Sequence, residues 1–209
     1  CATCGRARAS ASRRASRPSS LSRILQNLRN RPPHQARVAA MLLLTLRGTP
    51  TLYYGDEIGM PQVAIAPDRV RDPWEKNVPG MGVGRDGCRT PMQWDETAYA
   101  GFSVREPWLP LSKDIALVNV ATERQDTASM LSLYQALVSL RRARPELALG
   151  GYRLVSVADD LLVYAREHQD QRSLVALNLG MATVSLEVRG HVLLSTFMDR
   201  QAEVIDGLL

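Results

Sequence analysis

Asp56 and Glu57 are the first carboxylates in the chain, and they follow a short β-prone run, Thr51-Leu52-Tyr53-Tyr54-Gly55. Carboxylates so placed can move protons at a scissile bond. Two carboxyls that cleave one bond by a covalent route, however, sit about 5 Å apart on different strands. Neighbours at one strand end point in different directions, so Asp56 and Glu57 are rim or structural groups instead. Arg85, in Gly84-Arg85-Asp86, carries a rigid fork of five donors that suits two adjacent hydroxyls. On the residues alone, an ion pair with Asp86 is the simpler reading.

Other arrangements carry less chemistry. Gly82-Val-Gly84-Arg-Asp-Gly87 has the dinucleotide-binding spacing, but that motif needs a strand before it and a helix opening at its last glycine. Pro79 precedes it and Arg89-Thr90-Pro91 follows, so a loop is expected. Cys1 and Cys4 are half a zinc site, which Cys88 and the scattered His34, His168 and His191 do not complete. Neither a metal nor a cofactor is expected. Three cysteines cannot all pair, which fits a reducing, cytoplasmic compartment.

The charge is divided along the chain. Residues 1–47 hold ten arginines and no acid, while the rest hold 16 basic and all 21 acidic residues. The basic tail has neither aromatics to stack nor a recognition helix, so no nucleic-acid partner is expected. No apolar run approaches the roughly 18–20 residues of a membrane span, and no apolar leader segment follows the N-terminal arginines.

The elements that would position the candidate residues follow from periodicity. Residues 1–34 are rich in Arg, Ser and Ala and are expected to be disordered apart from a helical turn at Leu21–Leu28. A helix is predicted from Gln35 to Arg47, stopped by Gly48 and Pro50, and then the strand Thr51–Tyr54. Helix, turn and strand ending in acids is one unit of an α/β barrel, whose chemistry sits at C-terminal strand ends. Residues 48–110 are loop-rich, with eight of the twelve prolines and all three tryptophans; those aromatics argue for order. A second helix spans Ser129–Arg144. Five short strands are predicted at Tyr152–Val157, Leu161–Arg166, Ser173–Leu179, Thr183–Val188 and His191–Thr196, as an antiparallel sandwich or barrel. A lone barrel helix and strand have no neighbours to pair with. Stable protection is therefore expected only over about residues 129–209.

QARVAAMLLLTLRGTPTLYYGDEIGM, GRDGCRTPMQWD, Glu106-Pro107-Trp108 and LYQALVSLRRARPELALGGY, in this order, resemble the α-glucosidase and oligo-1,6-glucosidase branch of the α-amylase superfamily, glycoside hydrolase family 13. The resemblance covers Gln35 to Leu209, about five-sixths of the chain. It implies the last helix–strand–helix portion of a (β/α)8 barrel with its long loop over residues 35–146, then an antiparallel β-domain over 147–209. It further implies retaining hydrolysis of terminal α-linked glucose from an oligosaccharide such as maltose or isomaltose. The arginine matching Arg85 would contact the terminal glucose, with Asp56 and Glu57 near the rim and Glu57 toward the next sugar. The family's Asn-His-Asp element is absent where SLSRILQNLRNRPPH stands, and the nucleophile and general acid of the family lie upstream of the matched segments. The resemblance thus implies a C-terminal fragment with no catalytic carboxylate, behind a disordered or out-of-frame tail at 1–34. A transglycosylase, sucrose isomerase or trehalose synthase on the same scaffold is one alternative, and a non-catalytic carbohydrate-binding module is another.

Overall fold

In the computed structural model, residues 32–82, 84–158 and 160–208 are described. The expected disorder of the basic tail and the turn at Leu21–Leu28 lie outside them, apart from Pro32 to His34. Helix α1 runs Pro33–Thr45, two residues earlier at both ends than predicted. Proline is tolerated in a helix's first turn, where its missing N–H has no partner to lose. At the other end the backbone turns extended at Leu46. Arg141 donates to the carbonyls of Leu44 (2.7 Å), Leu46 (3.1 Å) and Gly48 (2.6 Å), and Arg166 donates to that of Thr45. Carbonyls left open by the end of the helix are thus satisfied by two guanidinia.

The predicted strand Thr51–Tyr54 is not a strand. The segment pairs with no ladder partner among the described residues, and Leu52 and Tyr54 are exposed. A barrel strand takes its hydrogen bonds from a parallel neighbour on either side, and the described residues supply neither. Short helix α2 (Pro73–Asn77) lies within the loop-rich centre, and α3 (Val120–Glu123) follows it. Helix α4 spans Met130–Ala143; the Ser129 hydroxyl caps it by accepting from the Ser132 N–H at 3.1 Å. Pro145 then opens α5, Pro145–Ala148.

Strands β1 (Gly151–Ala158), β2 (Leu161–His168) and β3 (Gln171–Asn178) form an antiparallel meander. The β2–β3 register closes at His168 opposite Gln171 around a two-residue turn, with Gln169 left-handed at φ 51°. The last two predicted strands need correction. β4 is Glu187–His191 and pairs with β5, Val204–Leu208, forming a separate two-stranded sheet. Residues 192–196 are not strand. Asp206-Gly207 is a turn-forming pair by composition, yet Asp206 lies opposite Arg189 and meets its Nε at 2.7 Å, a cross-strand ion pair on an exposed ribbon.

The apolar stripe of α1 is buried, contrary to the expectation that it would be left bare. Ala40, Met41 and Leu44 pack with Leu133, Tyr134 and Leu137 of α4 and with Tyr164, Val175 and Leu177 of the meander in one core. Helices α1 and α4 cover each other, and the sheet supplies the third wall. A smaller cluster of Ile58, Met60, Met92 and Val120 lies under the loops.

Candidate active site rim

Asp56 and Glu57 lie on a 3-10 turn, Asp56–Ile58, set between left-handed Gly55 (φ 88°) and Gly59 (φ 64°). A side chain at Gly55 would put its Cβ 2.7 Å from Met60 Sδ, so the tight turn needs glycine there. Asp56 faces a cavity of about 250 Å³ whose walls include Arg37, Glu123, Met130 and Tyr134. Arg37 Nε donates to the Thr196 carbonyl at 2.5 Å, while its buried Nη2 has no hydrogen-bond partner among the described residues. Burial pushes the Glu123 carboxyl up to about 6, although the Leu131 N–H (2.8 Å) and Arg37 both favour its ionised form; Asp126 and Glu57 oppose it. Glu57 therefore acts electrostatically on Glu123.

Arg85 does not pair with Asp86. Its Nε lies 3.8 Å from Asp72 Oδ2, and its side chain is half exposed. Asp72 is 2% exposed and organises the whole loop. It caps α2 by accepting from the Trp74 N–H at 2.9 Å, and it also takes the Arg85 N–H at 3.2 Å and Arg89 Nη1 at 3.4 Å. Asp86 answers in the opposite direction: its Oδ2 accepts from the N–H groups of Arg71 (2.6 Å) and Asp72 (2.7 Å). Each aspartate thus binds the backbone of the other's segment. Burial alone would raise the Asp72 carboxyl, but the two N–H donors and the guanidinia of Arg89 and Arg85 hold it below its ordinary value.

Gly87, the last glycine of the dinucleotide-like string, opens no helix. It sits in a 3-10 turn, Asp86–Cys88, where an added Cβ would lie 2.5 Å from the Val63 carbonyl oxygen. The Val63 N–H donates to the Gly87 carbonyl at 2.9 Å, so the glycine permits a backbone approach. Arg89 also bonds the Tyr53 phenol, which raises its pKa. The Tyr54 hydroxyl donates to the Thr90 carbonyl at 2.9 Å. Two tyrosines at the end of residues 51–54 therefore anchor the loop that carries both arginines.

Asp72 and Arg89 were missed from sequence. The signal for Asp72 was an aspartate directly before a proline, an N-cap pattern. For Arg89 it was only a cation just beyond the glycines. Among the described residues, no cluster of three or more His, Cys, Asp or Glu could hold a metal ion.

Residues 16–150 match the family described as "Alpha amylase, catalytic domain". The chain belongs to the α-amylase family. The match begins at residue 16, ahead of Gln35. Over 174 residues the chain is 36% identical to a glucan 1,6-α-glucosidase of Streptococcus pneumoniae, covering 75% of this chain and 32% of the relative. Among solved structures, an α-glucosyl transfer enzyme, XgtA, superposes with a TM-score of 0.71 at 34% identity, covering 77% of this chain and 30% of that one. Isomaltulose synthase from Klebsiella sp. LX3 gives 0.74 at 26% identity, with 84% and 36% covered. This α-amylase family chain spans about a third of the length of the curated relatives it matches. The solved structures it resembles are TIM-barrel enzymes of glycoside hydrolase family 13. No described helix is long and apolar enough to cross a membrane.

Proposed function

We infer that this chain forms the sugar-recognising rim and C-terminal β-region of a cytoplasmic α-glucosidase that removes terminal non-reducing glucose from an α-linked oligosaccharide such as isomaltose or maltose. The observation that carries this is the pair of guanidinia held over buried Asp72. The Nη groups of Arg85 make no hydrogen bond among the described residues, so its fork is open to a ligand. Arg89 is bonded to Tyr53, at the C-terminal end of the segment that takes the place of a barrel strand, and that end of a barrel is where substrates bind. Asp56 and Glu57 lie on the adjoining turn, at the rim, with Glu57 toward the second sugar. The two antiparallel sheets belong to the family's C-terminal sandwich.

In the reaction of retaining glycosidases, an aspartate attacks the anomeric carbon while a glutamate protonates the leaving oxygen, and water then releases glucose with retention. On this reading both carboxylates stand outside the segments described here, and the chain contributes recognition. The relatives named as a glucosyl transfer enzyme and an isomaltulose synthase support a second reading, in which a sugar hydroxyl replaces water as the acceptor.

The test is binding of isomaltose to the purified chain by calorimetry, with Arg85→Ala and Arg89→Ala beside it. Each lost bond from a charged donor costs about 1.5–3 kcal/mol, so at least one variant should bind more than about tenfold less tightly. Unchanged affinity in both would remove the arginines from the sugar site.

A further inference from the structure

The cavity that Asp56 faces is apolar on two sides and short of cations. Ala36, Ala40 and Leu43 of α1 line one wall, and Ile58, Met60 and Met130 line another. Asp56 and Glu123 also lie on it, and Glu57 and Asp126 stand close enough to act on Glu123. Against these carboxylates, Arg37 is the one cation among the described lining residues. An apolar hollow ringed by acids suits a partner that is apolar along one face and basic beside it.

The stretch of chain directly ahead of the cavity has that character. Leu21, Ile24, Leu25 and Leu28 recur at i, i+3, i+4 and i+7, the spacing of one helix face. Arg23, Arg29 and Arg31 accompany them with no acid. These residues precede the described ones, but their tether is on the page. Pro33, the first residue of α1, is itself part of the cavity wall. Leu28 stands five residues before it, within a reach of at most about 18 Å. Pro32 is extended, with ψ 145°, so the backbone leaves the α1 axis at that point. A linker this short holds its segment at an effective concentration on the order of millimolar. The α-amylase family match also begins at residue 16, which puts this stretch in the same catalytic domain as α1.

We propose that residues 21–28 of this chain dock on the cavity between α1, the Asp56–Ile58 turn and α4, seating Leu21, Ile24, Leu25 and Leu28 against its apolar walls and the neighbouring arginines against its carboxylates. The contact is made within one chain. It stands apart from the α-glucosidase reading, since it does not depend on which sugar the rim takes.

Hydrogen exchange on the full 209-residue chain, beside the double variants Ile24→Asp/Leu28→Asp and Arg29→Glu/Arg31→Glu, tests this. In the first variant, amides of residues 36–40 and 56–60 should exchange at least about tenfold faster than in the parent. In the second they should exchange about threefold faster. β2 and β3 should keep their parent rates in both. Parent rates over 36–40 and 56–60 in the apolar variant would overturn the proposal. Protection there that rose with protein concentration would also overturn it, because the cover would then be a second copy. Methyl NOEs in the parent chain from Ile24 and Leu28 to Met60 and Met130 supply a check that needs no substitution. They are expected, and their absence would overturn the docking even where a variant failed to fold.

Discussion

Two regions of this chain reach order by opposite means. In the helix–sheet unit of α1, α4 and β1–β3, nine buried residues form one apolar core, and the polar contacts there, Arg141 and Arg166, serve to close the end of α1. In the loop of residues 62–95, carboxylates carry much of the order: buried Asp72 and Asp86 and half-buried Glu75 accept backbone N–H groups from segments 5 to 15 positions away. The first kind of order comes from area removed from water and is indifferent to pH. The second depends on charges staying ionised. A rim that must hold guanidinia outward toward a polar ligand cannot be built from apolar packing alone, and its carboxylates both fold the loop and orient the arginines.

The largest effect should come from cutting the joint between α1 and the sheet. Arg166→Ala leaves the carbonyls of Thr45, Gly150 and Gly151 without their donor in a site of zero exposure. The loss should be about 3 kcal/mol or more, read as a fall in the urea midpoint. A midpoint within error of the parent would show that the arginine is not part of the joint.

A smaller and more local effect is expected at the loop. Asp72→Asn keeps an acceptor for the α2 cap but loses the charge that holds Arg85 and Arg89. The loop should loosen by about 2 kcal/mol, seen as faster proteolysis within residues 62–90 while the urea midpoint of the helix–sheet unit stays put. The same logic applies to acid. The folded carboxyl of Asp72 lies below its ordinary 3.8, so its contribution is complete above that value and is lost as pH falls through the folded value.

The smallest effect has the opposite sign. Glu123 is raised to about 6 from 4.5, so its ionisation at neutral pH opposes folding, and the penalty disappears as pH drops below 4.5. With screening of a partly exposed group, Glu123→Gln should stabilise the chain by about 1 kcal/mol at pH 7. At pH 4 the gain should vanish. A gain that persisted at pH 4 would place the cause elsewhere than in the titration.

What could be read from sequence was what depends on near neighbours. Helix α4, with its Ser129 cap and Pro145 stop, and the β2–β3 hairpin follow from local period and turn chemistry. The β4–β5 ribbon did not, because Asp206-Gly207 is turn-like by composition and becomes strand only opposite Arg189, 17 positions earlier. Arg85 was singled out, but its partner was misplaced: the adjacent Asp86 folds back on the Arg71–Asp72 backbone, and the ion pair goes to Asp72 instead. Arg166, wholly buried, looked like an ordinary strand arginine because its acceptors at Thr45 lie 121 positions away. The burial of α1 was likewise invisible, since its apolar stripe is covered by α4 and the meander, far along the chain.

The most direct test of the two kinds of order is hydrogen exchange on the purified chain at neutral and acid pH, corrected for intrinsic rates. At neutral pH, amides of residues 38–45 should exchange as slowly as those of β2 and β3, because they share one core. On acidification past the folded value of Asp72, protection over residues 62–90 should collapse while that of α1, β2 and β3 persists. Fast exchange in α1 at neutral pH, or simultaneous loss of loop and core in acid, would contradict the account.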